Sequence, residues 1–448
     1  METHFQVPIE DDLGHASPYG DRPLTVAEHL TIAAYWFATN FHWGALLLIL
    51  LPNDIRILAP DNKATVLGLV TGLGAIPALI VPLISGALSD RCTHPSGRRK
   101  PFLAKGIAVN VIGLMMMAAT VQLHDSLPAP LAFYLLGYIV VQIGNNIASG
   151  AFMGVIPDVV PDKERGKASG YMALMTQFGT LLGAVGAGMI LKGTIERYLA
   201  VAIVLVLVGF STKKIKEFHQ TESEPINWKT YWKSIWIDPK QFPDFAWVWI
   251  TRFLVMMGFY AIMPFINYYL VDVVGVPQNK VDSTAPMLLG VVLIVSSFSG
   301  YYGGTISDRI GRKKVVYIAN TLIAIVAPLF ILAHSMPIAL FVGALFGFGY
   351  GAYISVDYAL GTDVLPSNTD SGKDMAVWHI AMTLPQSLTA PIAGVLISLP
   401  GKTTSPAIEV GGDAITHYNI GGYAMVFFLC SICFALGAYL LRNVKGVK

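Results

Sequence analysis

Two ionisable residues stand inside long apolar stretches of this sequence. Arg252 lies early in a run at 244–271, and Asp357 lies just before the end of a run at 336–360. A charge at the centre of a membrane-spanning helix costs about 2.5–3.5 kcal/mol on insertion scales, so each residue needs a partner or a role. The two runs cross in opposite directions, which gives both charges a similar depth. Asp357 could exchange a proton and Arg252 could bind a substrate oxygen, or the two could form a permanent structural ion pair.

Neutral polar and aromatic residues occur at mid-depth in other apolar runs. Amides hydrogen-bond to sugar hydroxyls, and aromatic rings stack on the apolar face of a sugar. Alternatively, each side chain only joins neighbouring helices, which contributes about 0.6 kcal/mol per contact in measured cases. Their concentration on a few runs favours a central binding cavity. The candidates are His42, Asn145, Asn146, Gln177, Tyr260, Asn267, Tyr350, Tyr353, Trp378 and Gln386.

A short motif with an Asp-Arg pair, a glycine and a basic cluster occurs twice, each time between two apolar runs. An acid at a helix end beside basic residues can pair with helix termini or with a neighbouring helix and hold one conformation. The basic residues alone could instead be orientation signals, but acids contribute little to orientation. The predicted gating residues are Asp90, Arg91, Gly97, Arg98 and Asp158 in the first half, and Asp308, Arg309, Gly311, Arg312 and Asp363 in the second.

The two copies of the motif belong to a longer internal repeat. Asp90 matches Asp308 at an offset of 218, and Gly97 matches Gly311 at 214. Asp158 then matches Asp363 at 205, and a later Ala-Gly pair matches at 206. Four matches in the same order predict two homologous halves.

Composition identifies the environment of these residues. The 448 residues are 54% hydrophobic and only 13% charged, which is typical of a polytopic membrane protein. The apolar runs are continuous and do not alternate, which excludes a β-barrel. A net charge of +2 gives no reason to expect nucleic acid as a partner. The three cysteines provide no disulfide framework, and no phosphate-binding loop, metal motif or nucleophile elbow indicates an enzyme.

The apolar runs predict about twelve transmembrane helices in two six-helix bundles, an all-α membrane fold. We expect a cytoplasmic tail at 1–27, a first bundle at 28–212, a linker at 213–243, a second bundle at 244–442 and a tail at 443–448. Aromatic and basic residues in the linker favour a short helix at the lipid headgroups. The runs fall at 29–51, 64–88, 102–122, 131–156, 168–191, 197–212, 244–271, 284–306, 315–334, 336–360, 375–399 and 420–441.

The loop charges predict the orientation. If both termini are inside, 23 Lys and Arg residues lie on the inner side and 6 on the outer side. Positive residues accumulate in cytoplasmic loops, so both termini are expected in the cytoplasm of a multi-pass protein of the cell membrane.

The duplicated loop resembles the signature of the major facilitator superfamily over nearly the whole chain. Its enlarged first copy, VPLISGALSDRCTHPSGRRKPF, is similar to the loop of sucrose/proton carriers and, more distantly, of glycoside/cation symporters of melibiose type. Melibiose-type carriers bind cations through two acids that match Pro77 and Val81 here, which argues against sodium coupling at that site. Sucrose carriers have an intramembrane arginine where this chain has Met153, so sucrose itself is not implied.

The resemblance and the residues together predict a secondary active transporter that works by alternating access. The first choice is proton-coupled symport of a sugar or glycoside, with a proton gradient as energy source and no cofactor or metal. The expected partners are a small-molecule substrate and the lipid bilayer, and the chain is expected to be monomeric. The alternatives are a proton-coupled drug or metabolite exporter and a membrane sensor that binds ligand without moving it.

Overall fold

The computed structural model of the chain describes residues 17–20, 22–161, 164–217, 225–235, 237–364, 371–405 and 415–445. Parts of both predicted tails and of the linker, and the side chain of Asp308, lie outside the described residues. The α-helices are Val26–Ala45, Leu51–Leu58, Lys63–Gly74, Ile76–Asp90, Lys100–Gln122, Pro130–Phe152, Val155–Val159, Arg165–Val185, Thr194–Ser211, Trp228–Ile235, Pro243–Ile262, Ile266–Asp272, Val281–Ile310, Arg312–Val326, Met336–Asp363, Ser371–Ser398 and Ile420–Leu440.

Within the described part of the chain, these helices and their short 3₁₀ or π extensions form twelve apolar rods long enough to cross a bilayer. The twelve-span prediction is therefore confirmed. We number the spans 1 to 12: Val26–Leu58, Pro60–Asp90, Lys100–Gln122, Pro130–Val159, Lys167–Ile190, Thr194–Lys214, Pro243–Asp272, Gln278–Ser307, Arg312–Leu332, Met336–Gly361, Ile380–Ser398 and Ile420–Asn443.

Capping residues and first-turn prolines mark the N-terminal ends of several of these helices. Thr25 and Glu28 form a reciprocal capping box at the start of span 1. Proline occupies the first turn in spans 3, 4, 7 and 10, where its missing N–H costs no helical hydrogen bond. Asn419 caps span 12 by accepting from the Gly421 N–H at 2.8 Å. The helix ends are thus specified locally, and the apolar runs between them supply the length.

The two halves repeat one packing scheme. In the first half span 1 packs on spans 5 and 6, and span 4 packs on spans 2 and 3. In the second half span 7 packs on spans 11 and 12, and span 10 packs on spans 8 and 9. The structure therefore has two pseudo-symmetric six-helix bundles, as predicted.

Small residues bring the helices within each bundle close together. A Cβ on Gly183 of span 5 would stand 2.1 Å from the Phe41 carbonyl oxygen of span 1. A Cβ on Gly351 of span 10 would stand 2.0 Å from the Ser296 carbonyl oxygen of span 8. Both contacts require glycine, which is how membrane helices pack without a hydrophobic driving force between them.

We call the membrane side at which span 1 begins and span 12 ends the terminal end, and the other side the opposite end. The terminal end holds the loops after spans 2, 4, 8 and 10 and the linker helix Trp228–Ile235, which forms where the sequence predicts one. The opposite end holds a β-hairpin between spans 11 and 12, in which β1 (Lys402–Ser405) pairs antiparallel with β2 (Ile415–Tyr418).

Candidate functional site

The two buried charges predicted to meet do meet. The Arg252 guanidinium of span 7 forms an ion pair with the Asp357 carboxylate of span 10, and both side chains are almost fully buried, at 5% and 3% exposed. Tyr353, one turn earlier on span 10, donates its hydroxyl to the second Asp357 oxygen at 2.8 Å. Span 11 covers the pair, because the guanidinium lies 3.4 Å from the centroid of the Trp378 ring and reaches the Met382 sulfur at 3.4 Å.

This arrangement keeps two buried charges neutral as a pair. Both carboxylate oxygens of Asp357 already accept from a donor, one from Arg252 and one from Tyr353. A fully buried ion pair persists only when its remaining hydrogen-bonding capacity is satisfied in this way. A proton on Asp357 would release the guanidinium, and a substrate oxygen could then replace the carboxylate.

Aromatic residues continue the site within the second bundle. Tyr350 stacks on Phe259, with ring centroids 4.5 Å apart and an interplanar angle of 9°. The Tyr260 hydroxyl, next along span 7, interacts with Gln386 of span 11. Phe259, Tyr260, Tyr350 and Gln386 are each half-buried, whereas Tyr353 is fully buried.

In the first bundle, neutral polar groups join spans 1 and 4. Thr39 of span 1 donates to the Asn145 side-chain oxygen of span 4 at 2.7 Å. Tyr35, one turn before Thr39, contacts Ser149 at 3.2 Å, one turn after Asn145. Asn146 instead bonds within its own helix to the Gln142 carbonyl oxygen at 2.8 Å. Asn145 therefore joins spans 1 and 4, whereas Asn146 lies on a different face of span 4.

The remaining predicted binding residues lie apart from the ion pair. His42 is fully buried, neither ring nitrogen has a hydrogen-bond partner among the described residues, and its ring packs edge-on against Trp43. Gln177 is half-buried on span 5. Asn267 donates to the Leu48 carbonyl oxygen of span 1 at 2.6 Å, across the boundary between the bundles. Asn267 thus helps to close the opposite end in this conformation.

The repeated loops at the terminal end make the same ion pair in both halves. Arg98 pairs with Asp158 at 2.6 Å, and the matching Arg312 pairs with Asp363 at 2.5 Å. Each pair ties the loop after the second span of its bundle to the end of the fourth. The glycine before each arginine has a positive φ, 110° at Gly97 and 98° at Gly311, which a side chain would strain.

Arg99 is the centre of the first-half network, although from sequence it is expected only to signal orientation. Its guanidinium binds Asp158 at 2.8 Å, Asp90 at 2.5 Å and the Ser89 hydroxyl at 2.5 Å, and its side chain is buried. Burial alone would lower the pKa of Arg99, but the carboxylates of Asp158 and Asp90 outweigh it and leave that pKa raised. Its backbone N–H donates to Glu217 at 2.8 Å, and burial raises the pKa of that carboxyl.

The other predicted gating residues are more exposed. Asp90 is 52% exposed although it contacts Arg99. Arg91 reaches the Ala87 carbonyl oxygen at 3.5 Å, and Arg309 lies exposed at the end of its helix. The Asp308 side chain lies outside the described residues.

The hydrogen bonds that join described residues of the two bundles all lie at the opposite end. Asp282 of span 8 receives Arg197 of span 6 at 2.9 Å and Asn53 of span 1 at 2.7 Å. Lys63 of span 2 is buried beneath the hairpin and donates to the Thr416 carbonyl oxygen at 2.6 Å. Tyr268 of span 7 donates to the Pro52 carbonyl oxygen at 2.9 Å. The bundles are therefore fastened together at the opposite end in this conformation.

Two pseudo-equivalent bundles of six membrane-spanning helices, fastened to each other at one end, are typical of a membrane transporter. Comparison with known families gives the particular class: the model of the Major Facilitator Superfamily matches residues 29–309 and 282–446. The chain belongs to this superfamily, as the duplicated loop predicts. Its members are transporters and not enzymes. Among the described residues no three His, Cys, Asp or Glu side chains gather as a metal site.

Curated relatives match over part of the chain. Sucrose transport protein SUC4 of Arabidopsis thaliana is 26% identical over 164 residues, 34% of this chain and 32% of that protein. Sucrose transport protein SUT2 of rice is 27% identical over 182 residues, 37% of this chain and 36% of that protein. Human solute carrier family 45 member 4 is 25% identical over 163 residues, 35% of this chain and 21% of that protein. The matched segment thus spans about a third or less of these relatives.

Solved structures show the same fold over the whole chain. The nucleoside transporter NupG superposes with a TM-score of 0.70 at 14% identity, covering 93% of this chain and all of that one. A D-xylose-proton symporter superposes with a TM-score of 0.66 at 15% identity, covering 93% of this chain and 98% of that one. At these identities the likeness concerns the fold alone.

Proposed function

We propose that the chain carries a sugar or glycoside across the membrane together with a proton. The proposal rests on the Arg252–Asp357 pair, which is buried inside the second bundle against Trp378. A proton on Asp357 frees the guanidinium to bind a substrate oxygen, so proton and substrate are bound together. The sucrose relatives and the xylose-proton symporter fold support this choice of cargo.

The residues around the pair supply the chemistry that a sugar needs. The rings of Trp378, Tyr350 and Phe259 offer flat apolar faces for a pyranose or furanose ring. The side chains of Gln386 and Asn145 offer both donors and acceptors for hydroxyl groups. In the conformation described, Asn145 is engaged by Thr39, so we expect substrate to compete with that hydrogen bond.

The test is transport by purified protein in liposomes, screened over sugars with and without an inward pH gradient. We expect one disaccharide or glycoside to be concentrated only with the gradient and to dissipate it when added. Asp357→Asn should abolish this uphill uptake but retain downhill exchange. The control is Asp125→Asn, because the Asp125 side chain is 92% exposed in a loop.

Other outcomes would reassign the function. Uphill uptake that survives in Asp357→Asn removes Asp357 from the coupling role. A pH gradient dissipated only by organic solutes that leave the vesicle would make the protein an exporter. Binding of a sugar without any flux would make it a sensor.

We also propose that the protein alternates between two conformations, and that the loop networks at the terminal end stabilise the one described here, in which the bundles are fastened at the opposite end. The ion pairs of Asp158 and Asp363 keep each loop ordered while the bundles are fastened at the opposite end. Asp90→Asn should slow exchange between the conformations and leave substrate affinity largely intact, because Asp90 belongs to the loop network through its contact with Arg99. Unchanged exchange with weakened binding would reject this role.

The proposed location is the cell membrane, with both termini cytoplasmic and the chain working as a monomer. The bias of Lys and Arg towards the terminal-end loops supports this orientation. Reporter fusions at the C-terminus and at Lys192, which is exposed at the opposite end, would test it. A reporter active in the cytoplasm only at the C-terminus is the expected result.

A further inference from the structure

A second buried carboxylate lies outside the central site. Asp54, near the opposite end of span 1, is 1% exposed. Two tyrosine hydroxyls donate to its Oδ2 atom, Tyr134 of span 4 at 2.8 Å and Tyr198 of span 6 at 2.6 Å. Among the described residues no basic nitrogen lies within 4.0 Å of this carboxylate. A buried ion without a counter-charge is unfavourable even when it is hydrogen-bonded, so the neutral form of this carboxyl is favoured.

The residues beside Asp54 and Tyr198 in the sequence fasten the two bundles. Asn53 donates to Asp282 of span 8 at 2.7 Å, and Arg197 binds the other oxygen of the same carboxylate at 2.9 Å. We call these three residues, Asn53, Arg197 and Asp282, the Asp282 latch. Asn53 of the latch is therefore next to Asp54 on span 1, and Arg197 of the latch is next to Tyr198 on span 6. A movement of the latch residues displaces the buried acid and its tyrosine partner.

The surroundings of Asp54 contain one cation, Arg197, for two acids, Asp54 and Asp282. Arg197 and Asp282 are its charged neighbours, and Tyr134 and Tyr198 are its hydrogen-bonding neighbours. Tyr268 of span 7 lies close enough to sense the Asp54 charge, and it also faces Arg56. Arg197 is thus one cation shared between two acids, and in this conformation it binds Asp282.

We propose that Asp54 is a proton-binding site that controls the Asp282 latch. Asp54 carries a proton while Arg197 holds Asp282 and the opposite end is closed. When Asp54 loses that proton, its charge attracts Arg197, which leaves the other bundle and pairs within its own. A proton arriving at Asp54 reverses the exchange and closes the end again.

Arg197 has to move only a small distance to exchange Asp282 for Asp54. The hydroxyl of Tyr198, the next residue, already contacts Asp54, so Arg197 needs a change of side-chain conformation and no unfolding. Asp282 lies on the partner bundle and becomes solvated when the bundles part, whereas Asp54 stays enclosed by Tyr134 and Tyr198. Asp54 is therefore charged only in the conformation in which Arg197 pairs with it. Asp282 is charged in both conformations, because it binds Arg197 in one and is solvated in the other.

The test measures the separation of the bundles at the opposite end as a function of pH. Spin labels are placed on cysteines at Lys192 and Asn279, which are exposed on different bundles, after the native cysteines are replaced by serine. In nanodiscs without sugar, we expect the ratio of long to short distances to rise at least about tenfold from mildly acidic to mildly alkaline pH.

Three variants decide the proposal. Asp54→Asn should keep the short distance at every pH, with less than about a twofold change in the ratio. Arg197→Gln should also lose the pH response, because glutamine has no charge for Asp54 to attract. Asp61→Asn, an exposed acid at the same end, should titrate like the unsubstituted protein.

A wild-type distance that does not respond to pH overturns the proposal. A wild-type midpoint retained in Asp54→Asn overturns the assignment to Asp54, and one retained in Arg197→Gln overturns the exchange of partners. If Asp54→Asn does not fold, Arg197→Gln still decides the question. The measurement needs no substrate, so failure of the sugar/proton proposal in liposomes would leave this result standing.

Discussion

The two bundles place different chemistry at matching positions. Tyr35 and Arg252 each stand nine residues after the start of the first helix of their bundle, and Phe152 and Asp357 each stand six residues before the acid of the repeat. In the first bundle the rings of Tyr35 and Phe152 pack 4.7 Å apart. In the second bundle Arg252 and Asp357 form an ion pair. The same helix crossing is aromatic in one half and charged in the other.

The two crossings show that a duplicated helix arrangement can carry different residues, and hence different chemistry, at equivalent positions. The packing scheme needs a contact at this crossing, and either an aromatic pair or an ion pair provides it. Only the charged version can change with protonation. At this crossing we therefore expect proton exchange only in the second bundle, while the first supplies neutral hydrogen bonds through residues such as Thr39 and Asn145.

At the terminal end it is the first half that has the larger network of charged residues. Both halves keep the ion pair between loop arginine and helix acid, but the first half adds Arg99, which is buried among two carboxylates and a hydroxyl. The matching residue in the second half is Lys313, which reaches the Val444 carbonyl oxygen at 2.5 Å. In each half the chain after the last span returns to this loop, through Glu217 in one and Val444 in the other.

The largest effect is expected from converting one crossing into the other. Asp357→Phe alone leaves the buried Arg252 charge without its carboxylate, which should destabilise the protein by about 3–5 kcal/mol. Adding Arg252→Tyr recreates the pair of the first bundle and should recover most of that stability. Uphill transport should remain absent in the double variant. Thermal unfolding in one detergent, together with uptake in liposomes, measures both results.

The comparison fails if the double variant is no more stable than the single one. In that case the crossings are not interchangeable, and Tyr353 and Trp378 require the charges for packing. A double variant that still concentrates substrate would remove the ion pair from coupling altogether.

A smaller effect is expected at the terminal end. Arg99→Lys should cost about 1.5–3 kcal/mol, because one ammonium cannot reproduce the directed contacts of a guanidinium to Ser89, Asp90 and Asp158. The reciprocal change, Lys313→Arg, should stay within about 0.5 kcal/mol, because Lys313 binds backbone carbonyl oxygens near the surface. Equal losses from both changes, measured by thermal unfolding, would show that the two loops are energetically alike.

The helix arrangement of this protein can be predicted well from its sequence, because membrane-spanning helices require long apolar runs that are easily recognised. Continuous apolar runs require helices, and the repeat predicts two equivalent bundles. The Arg252–Asp357 contact is also predictable, since a charge inside a membrane span needs a partner and few other charged residues lie inside the spans. Both the fold class and the superfamily are confirmed.

Contacts that depend on helix rotation could not be predicted. Asn145 and Asn146 are adjacent and chemically identical, yet only the structure shows that Asn145 binds Thr39 while Asn146 bonds within its own helix. Arg99 looks like any other residue of a basic cluster until its burial is known. Asp54 lies where the first apolar run ends, so a position in a loop explains it equally well from sequence. The predicted binding roles of His42 and Gln177 stay predictions.

The acids that complete the repeated ion pairs offer a finer comparison. Asp158 binds two arginines and its side chain is 18% exposed, whereas Asp363 binds one and is 36% exposed. Asp158→Asn should cost about 1–2 kcal/mol and Asp363→Asn less than about 1 kcal/mol, because solvent weakens the more exposed pair. Thermal unfolding of the two variants side by side gives the ratio. A larger loss at Asp363 would contradict the ordering of the two networks.

The smallest expected effect is a change in the pH dependence of stability within the first bundle. Burial raises the pKa of Glu217, so its contribution is fully present below the ordinary glutamate pKa and is lost as pH rises through the folded value. The Leu24 N–H lowers the pKa of Glu164, whose contribution is present above the ordinary pKa and lost as pH falls through the folded value. Glu217→Gln should therefore make stability decline less with rising pH, and Glu164→Gln should make it decline less with falling pH. Melting temperatures measured across the acidic range would check the opposite signs, and shifts of the same sign would mean that the Glu217 carboxyl is not held in a buried environment beside Arg99.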